Sequence, residues 1–258
     1  MVPPAADARP VALVTGAGRR AGIAAACVTK LAQDGFDVAW TFWSAYDARM
    51  PWRADEHTAS HLTTVVERAG GRGCSIELDL TGRDAAPALF DAVEAALGRA
   101  PSCLVLCHAE SVDSGLLDTT VAAFDVHYAV NVRATWGLVR EFGLRFAGPP
   151  GSGRIVAMTS DHTVGNLPYG ATKGALDRIV LAAAHELAHL RVSANVINPG
   201  ATDTGWMSEE LMSSVTAATP LGRVGQPEDA ANLVSFLCSD DGGWVNGQLL
   251  MSNGGAAP

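Results

Sequence analysis

Val11-Ala-Leu-Val-Thr15-Gly16-Ala-Gly18-Arg19-Arg20-Ala-Gly22-Ile23-Ala24 runs from a short apolar stretch, through a glycine-rich turn, into an alanine-rich segment. Val11 to Thr15 reads as a strand and Ile23 to Asp34 as a helix. The glycines between them let backbone N–H groups come close to a pyrophosphate, and the positive end of the helix dipole adds attraction. Gly16, Gly18 and Gly22 are therefore a candidate phosphate cradle. A tight structural turn is the competing reading, but a turn that follows the first strand of an alternating strand–helix chain favours a dinucleotide.

The alternation continues outward from that turn. Phe36 to Trp43, Gly73 to Leu80, Ser102 to Cys107, Arg154 to Thr159, Val192 to Ile197 and Gln248 to Ser252 read as strands. Helices are expected around Ala59 to Ala69, over Ala85 to Leu97, and, with breaks, from Thr120 to Ala147. Continuous apolar strands separated by helices predict a doubly wound, mainly parallel α/β sheet of the Rossmann-like kind, covered on both faces. No repeat or low-complexity linker divides the chain, so a flexible segment at 1–10 and a single domain over 11–258 are expected. The long connection at 43–58 is expected to border a ligand.

Composition narrows the function. With 258 residues, 48% of them apolar, the chain has enough to bury a substantial core. Its net charge of −9 disfavours nucleic acid and anionic membranes as partners. No apolar run approaches the ~18 residues of a membrane span. Met1 to Pro10 has no basic stretch followed by an apolar one, so no signal peptide is expected. Five cysteines, with no CxxC pair, point to reduced thiols and a cytoplasmic location. Cys103 and Cys107 should share a strand face, as a metal pair or as two buried small hydrophobes. Without a Cys/His doublet at ligand spacing the second reading is preferred, and no metal is expected.

Cofactor type follows from charge. A carboxylate near the end of the second strand would suit a ribose 2′-hydroxyl. Trp40-Thr41-Phe42-Trp43-Ser44 has none there, whereas Arg19 and Arg20 offer guanidinium groups to a 2′-phosphate. NADP(H) is favoured over NAD(H); Asp47, further along, remains an alternative acceptor for a hydroxyl.

Tyr169-Gly-Ala-Thr-Lys173 opens an amphipathic stretch in which Leu176, Ile179, Val180, Ala183, Leu187 and Leu190 recur at helical spacing. Tyr169 and Lys173 should project from one face. A neighbouring ammonium should lower the phenol pKa toward working pH, equipping Tyr169 for proton transfer to a carbonyl or from an alcohol. Ser160, at the end of its strand, can hydrogen-bond a substrate oxygen. Asn198-Pro199-Gly200-Ala-Thr202-Asp-Thr204 offers N–H groups and hydroxyls to a nicotinamide carboxamide and to phosphates.

TGAGRRAGIA at 15–24, LDL at 78–80, NVRA at 131–134, TS at 159–160, YGATK at 169–173 and NPGATDT at 198–204 together resemble the short-chain dehydrogenase/reductase family. PLGRVGQPEDAA at 220–231 and GQLLMSNGG at 247–255 extend the resemblance over almost the whole chain, which is similar to 3-oxoacyl-carrier-protein reductase-like members. The resemblance implies that Tyr169 is the general acid/base, Lys173 its pKa modulator and a ribose ligand, Ser160 the carbonyl-polarising residue, and Asn131 the residue that positions a water. It implies adenine contacts at Asp79 and Leu80, and further cofactor contacts at Ile23, Thr41, Ala109, Pro199, Gly200, Thr202 and Thr204. It also implies a homo-oligomer, tetramer or dimer, packed through the helices carrying Asn131 and Tyr169; the small residues Gly170, Ala171, Gly174 and Ala175 are compatible with close helix contact.

Three departures bear on the site. The glycine turn is longer than the family's common spacing. Asn-Asn-Ala-Gly is replaced by Cys107-His108-Ala109-Glu110, which makes His108 either an auxiliary acid or base or a strand-end residue bonded to backbone. The segment between Ser160 and Tyr169 is shortened, leaving Thr163 as an alternative hydroxyl. Trp206, Met207, Leu211 and Met212 form either an apolar lid or ordinary helix packing. Two functions follow: an NADP(H)-dependent reductase or dehydrogenase acting on a ketone or secondary alcohol, or a dinucleotide-binding sensor or partner protein with little turnover.

Overall fold

The computed structural model describes residues 9–256; residues 1–8 of the segment expected to be flexible lie outside the described residues. Arg9, at its end, donates to the carbonyls of Ala32 and Ala69.

Seven parallel strands form one sheet in the order β3-β2-β1-β4-β5-β6-β7. They are β1 Val11–Thr15, β2 Asp37–Phe42, β3 Gly73–Glu77, β4 Cys103–Leu106, β5 Arg154–Met158, β6 Ser193–Asn198 and β7 Leu249–Met251. In β1, β4, β5 and β6 every residue is buried, as a strand covered on both faces requires. One face packs Leu13, Leu104 and Ile155 against α4 (Ala85–Leu97), α6 (Thr135–Arg145) and α7 (Leu167–Glu186) through Phe90, Phe142 and Val180. The other packs Val14, Val105 and Val156 against α1 (Ile23–Gln33), α3 (Thr58–Arg68) and α8 (Pro227–Cys238) through Leu31, Leu62 and Val234. Cys103 and Cys107 both border this second face, and the Cys103 sulfur lies 2.9 Å from that of Cys238.

From β1 the chain winds outward through β2 to β3, then returns to place β4 on the other side of β1. The crevice above the carboxyl ends at that reversal is where open α/β sheets bind ligands. Two segments facing it differ from the sequence expectation. The broken helix after Thr120 is α5 (Val121–His127), a π-helical turn (Tyr128–Ala134) and α6, so the chain widens without stopping. The connection at 43–58 contains a helix, α2 (Ser44–Arg49), whose one buried residue, Asp47, gave no apolar periodicity to read.

Candidate active site

Pro168 lies in the first turn of α7, and Tyr169 and Lys173 follow one turn apart on the same helix. The Lys173 Nζ lies 5.5 Å from the centre of the Tyr169 ring and donates to the Met158 carbonyl, the last residue of β5, at 2.8 Å. Two residues beyond β5, the Ser160 hydroxyl accepts from the His162 N–H at 3.1 Å and is near enough to the Tyr169 phenol to favour its ionised form. Thr163, the alternative hydroxyl, bonds the Asp161 carbonyl instead. The shortened segment lies flat on α7 because residue 170 is glycine: a Cβ there would meet the Thr163 Oγ1 at 2.6 Å.

Burial governs both titrating groups. The Lys173 ammonium is 1% exposed, and burial pulls its pKa down to about 8, opposed by Cys107 and Asp177. The Tyr169 phenol is pushed up to about 12 by burial, with the Ser160 hydroxyl pulling the other way. The sequence expectation of an acidified phenol is therefore corrected. Desolvation outweighs the ammonium, whose proton is directed at a backbone carbonyl, and the phenol holds its proton across the neutral range.

Asn131 sits in the π-helical turn, fully buried. Its Nδ2 donates to the Glu110 carbonyl and the Thr172 hydroxyl, both at 2.9 Å, and its Oδ1 accepts from the Glu110 N–H at 2.8 Å. Both amide protons are used, so the side chain ties the post-β4 loop to α7. His108 is neutral, its pKa pushed down to about 3 by burial, with the Lys173 charge adding to the effect. Its Nε2 faces the Val130 carbonyl at 3.2 Å and must carry the hydrogen. Its Nδ1 then accepts from the Thr15 hydroxyl at 2.6 Å. This is the backbone-bonded reading of His108.

At the glycine turn, α1 begins on Gly22 with no side-chain cap, leaving its first N–H groups to an anion. Gly16 has φ +85°, and a Cβ on it would strike the His108 backbone at 2.8 Å. Thr41 holds the turn from below, accepting from the Gly16 N–H through its hydroxyl and from the Ala17 N–H through its carbonyl. An uncapped helix start beneath close-packed glycines fits a dinucleotide pyrophosphate. The remaining candidates are more internal than expected. Asp79 accepts from the Thr81 N–H, Leu80 packs with Ala85 and Ala134, and the Thr202 hydroxyl bonds the Pro199 and Gly200 carbonyls. Ile23 and Ala109 border the crevice half-buried.

Neither arginine of the turn is free. Arg19 donates to the Thr204 carbonyl at 2.8 Å and lies 4.1 Å over the Trp52 ring, while Arg20 pairs with Asp55 at 2.8 Å. Trp52 and Asp55 belong to the 43–58 connection, as do Tyr46 and Arg49. Their proximity to the turn carried no signal in strand or helix periodicity.

A family model described as Enoyl-(Acyl carrier protein) reductase matches residues 16–257. The uncharacterized oxidoreductase YjdA of Bacillus subtilis is 35% identical, with 95% of this chain and 96% of that protein covered. The NADPH-dependent aldehyde reductase-like protein of Arabidopsis thaliana chloroplasts is 32% identical, over 98% of this chain and 96% of its own length. Among solved structures, a blue fluorescent protein from a metagenomic library, in complex with NADPH, superimposes with a TM-score of 0.84 at 30% identity, covering 96% of this chain and 98% of that one. With this fold and these matches, the chain belongs to the short-chain dehydrogenase/reductase family, a family of hydride-transferring oxidoreductases.

Proposed function

We propose that the protein is an NADP(H)-dependent carbonyl reductase, with Tyr169 as proton donor. The observation that carries this reading is the gathering of the Ser160 hydroxyl, the Tyr169 phenol and the Lys173 ammonium at the carboxyl end of β5. The nicotinamide, when bound, supplies the hydride. Ser160 holds the substrate carbonyl oxygen, Tyr169 delivers its proton to that oxygen as charge builds, and Lys173 stabilises the tyrosinate left behind. The glycine turn and the start of α1 are assigned to the pyrophosphate, and Arg19 and Arg20 to a 2′-phosphate. NADPH in the structural neighbour and in the name of the plant relative supports that cofactor.

The segments that follow β4, β5 and β6 carry exposed apolar side chains: Trp206 is 52% exposed and Val164 91%, with Leu116 and Leu117 on the loop that pairs with the 161–167 segment. The substrate proposed is accordingly a ketone or aldehyde with an apolar body. The exposed small residues Ala171 and Gly174 of α7, together with the exposed Phe124 of α5 and Trp136 of α6, support a homo-oligomer through these helices. Incubation with NADPH and a panel of apolar ketones and aldehydes, followed at the nicotinamide absorbance, tests the assignment. Steady oxidation is expected; tight NADPH binding without oxidation across the panel would move the protein to the non-catalytic sensor or partner class.

A further inference from the structure

The connection after β2 crosses the crevice as a strap. A Cβ on Gly18 would meet the Asp47 Oδ2 at 2.2 Å, so the glycine admits a carboxylate rather than a special backbone angle. The Trp52 indole donates to the Asp47 Oδ1 at 2.9 Å while its face carries the Arg19 guanidinium. Asp55 holds Arg20. On the far side, Arg49 forms an ion pair with the buried Glu110 carboxylate, and the Tyr46 hydroxyl faces the Ser111 carbonyl at 3.5 Å. Residues 44–56 therefore bridge the glycine turn and the loop after β4. Beneath them is a cavity of about 490 Å³ bordered by Gly18, Phe42, Asp47, Asp55 and Glu56.

We propose that this strap sets the protein's selectivity between dinucleotides: its carboxylates Asp47 and Asp55 act as internal anions that engage the glycine turn and its arginines until a 2′-phosphate displaces them. This rests on the assignment of Arg19 and Arg20 to that phosphate. A ribose hydroxyl cannot take a guanidinium from a carboxylate, whereas a phosphate, with more charge and three acceptor oxygens, can. Three carboxylates, those of Asp47, Asp55 and Glu56, line the cavity, so a 2′-phosphate enters it favourably only as the strap gives way. Asp47 and Asp55 thus weaken NADPH binding and leave NADH binding nearly untouched.

The test is equilibrium titration of the intact protein with NADPH and NADH, read by nicotinamide fluorescence, for the wild type, Asp55→Asn and Asp47→Asn. Asp55 forms an exposed pair, and Asn at 47 can still accept from the Trp52 indole, so both variants preserve the packing. Each is expected to tighten NADPH about two- to five-fold, the scale of an exposed ion pair, with NADH unchanged. Trypsin cleavage after Arg49 and Arg53 is expected to quicken with NADPH bound. Weaker NADPH binding in Asp47→Asn, or protection of those two bonds, would make the strap a clamp on the cofactor and overturn the proposal. Tighter binding of NADH than of NADPH that persists in both variants overturns the cofactor assignment. A wild type that prefers NADPH, with unchanged variants, overturns the strap's role alone.

Discussion

Around Tyr169 the crevice is held by regular structure: the lysine is buried on α7, its ammonium aimed at the end of β5, and the serine follows two residues after that strand. Around Gly18 it is built from a half-buried arginine, Arg19, and an exposed one, Arg20, each partnered by a residue of the strap or of the post-β6 turn. The first region is preorganised, with its groups together before any ligand arrives. The second must exchange partners to accept one. Chemistry that needs fixed geometry is placed where packing supplies rigidity, and the cofactor's charged end where ion pairs are weak and exchangeable.

The largest effect expected is on the rigid side. Tyr169→Phe removes the transferable proton and little volume, so carbonyl reduction should fall about 10²- to 10⁴-fold, the range of positioned acid–base catalysis, while the NADPH dissociation constant stays within about two-fold. A variant turning over near the wild-type rate would remove the phenol from the mechanism and leave the contrast between the two regions without a function.

Lys173→Met sharpens the contrast, because activity and stability should move in opposite directions. The pKa of the buried ammonium, about 8, lies below the ~10.4 of the unfolded chain. Between those values the unfolded state binds more protons, so the penalty is full below pH 8 and fades as pH rises toward 10.4. At pH 7 the methionine variant should melt a few degrees higher while losing most of its turnover, and the gain should shrink above pH 8. A lower melting temperature would mean that the bond to the Met158 carbonyl outweighs desolvation.

Asn131→Ala comes next. It strips partners from the buried Glu110 N–H and carbonyl and from the Thr172 hydroxyl, at a cost of about 2–3 kcal/mol in urea unfolding. Because Glu110 also anchors Arg49, hydrogen exchange in the strap should quicken; an unchanged strap would show that the two regions are mechanically independent.

The same division explains what the sequence could and could not reveal. The inner strands were legible because burial on both faces leaves an apolar run, while the half-exposed edge strands β3 and β7 were legible from their place in the alternation; Val11–Thr15 and Ala85–Leu97 were bounded to the residue. Tyr169 and Lys173 were legible because helix geometry alone puts them together. The strap was not: a six-residue helix with one buried side chain has no periodicity, and contacts such as Arg20 to Asp55 and Arg49 to Glu110 are set by the path of a loop. The phenol's pKa was misjudged because sequence spacing shows the neighbouring charge but not the depth of burial.

The smallest expected effect concerns His108, which stands between the two regions, linking Thr15 at the end of β1 to Val130 in the π-helical turn. Folded, it titrates at about 3; unfolded, near 6.5. As pH falls below 6.5 the unfolded state binds the extra proton, so this one residue should cost about 2 kcal/mol of stability by pH 5. Asn can donate to Val130 and accept from Thr15 without titrating. His108→Asn should therefore lie within about 1 kcal/mol of the wild type at pH 7.5, and gain on it by about 2 kcal/mol at pH 5 in urea unfolding. Equal acid sensitivity in the two proteins would mean that the imidazole takes up its proton in place, with Thr15 turning its hydroxyl to the Val105 carbonyl, 3.5 Å away. The link between the rigid and the exchangeable ends would then itself be a site of proton uptake.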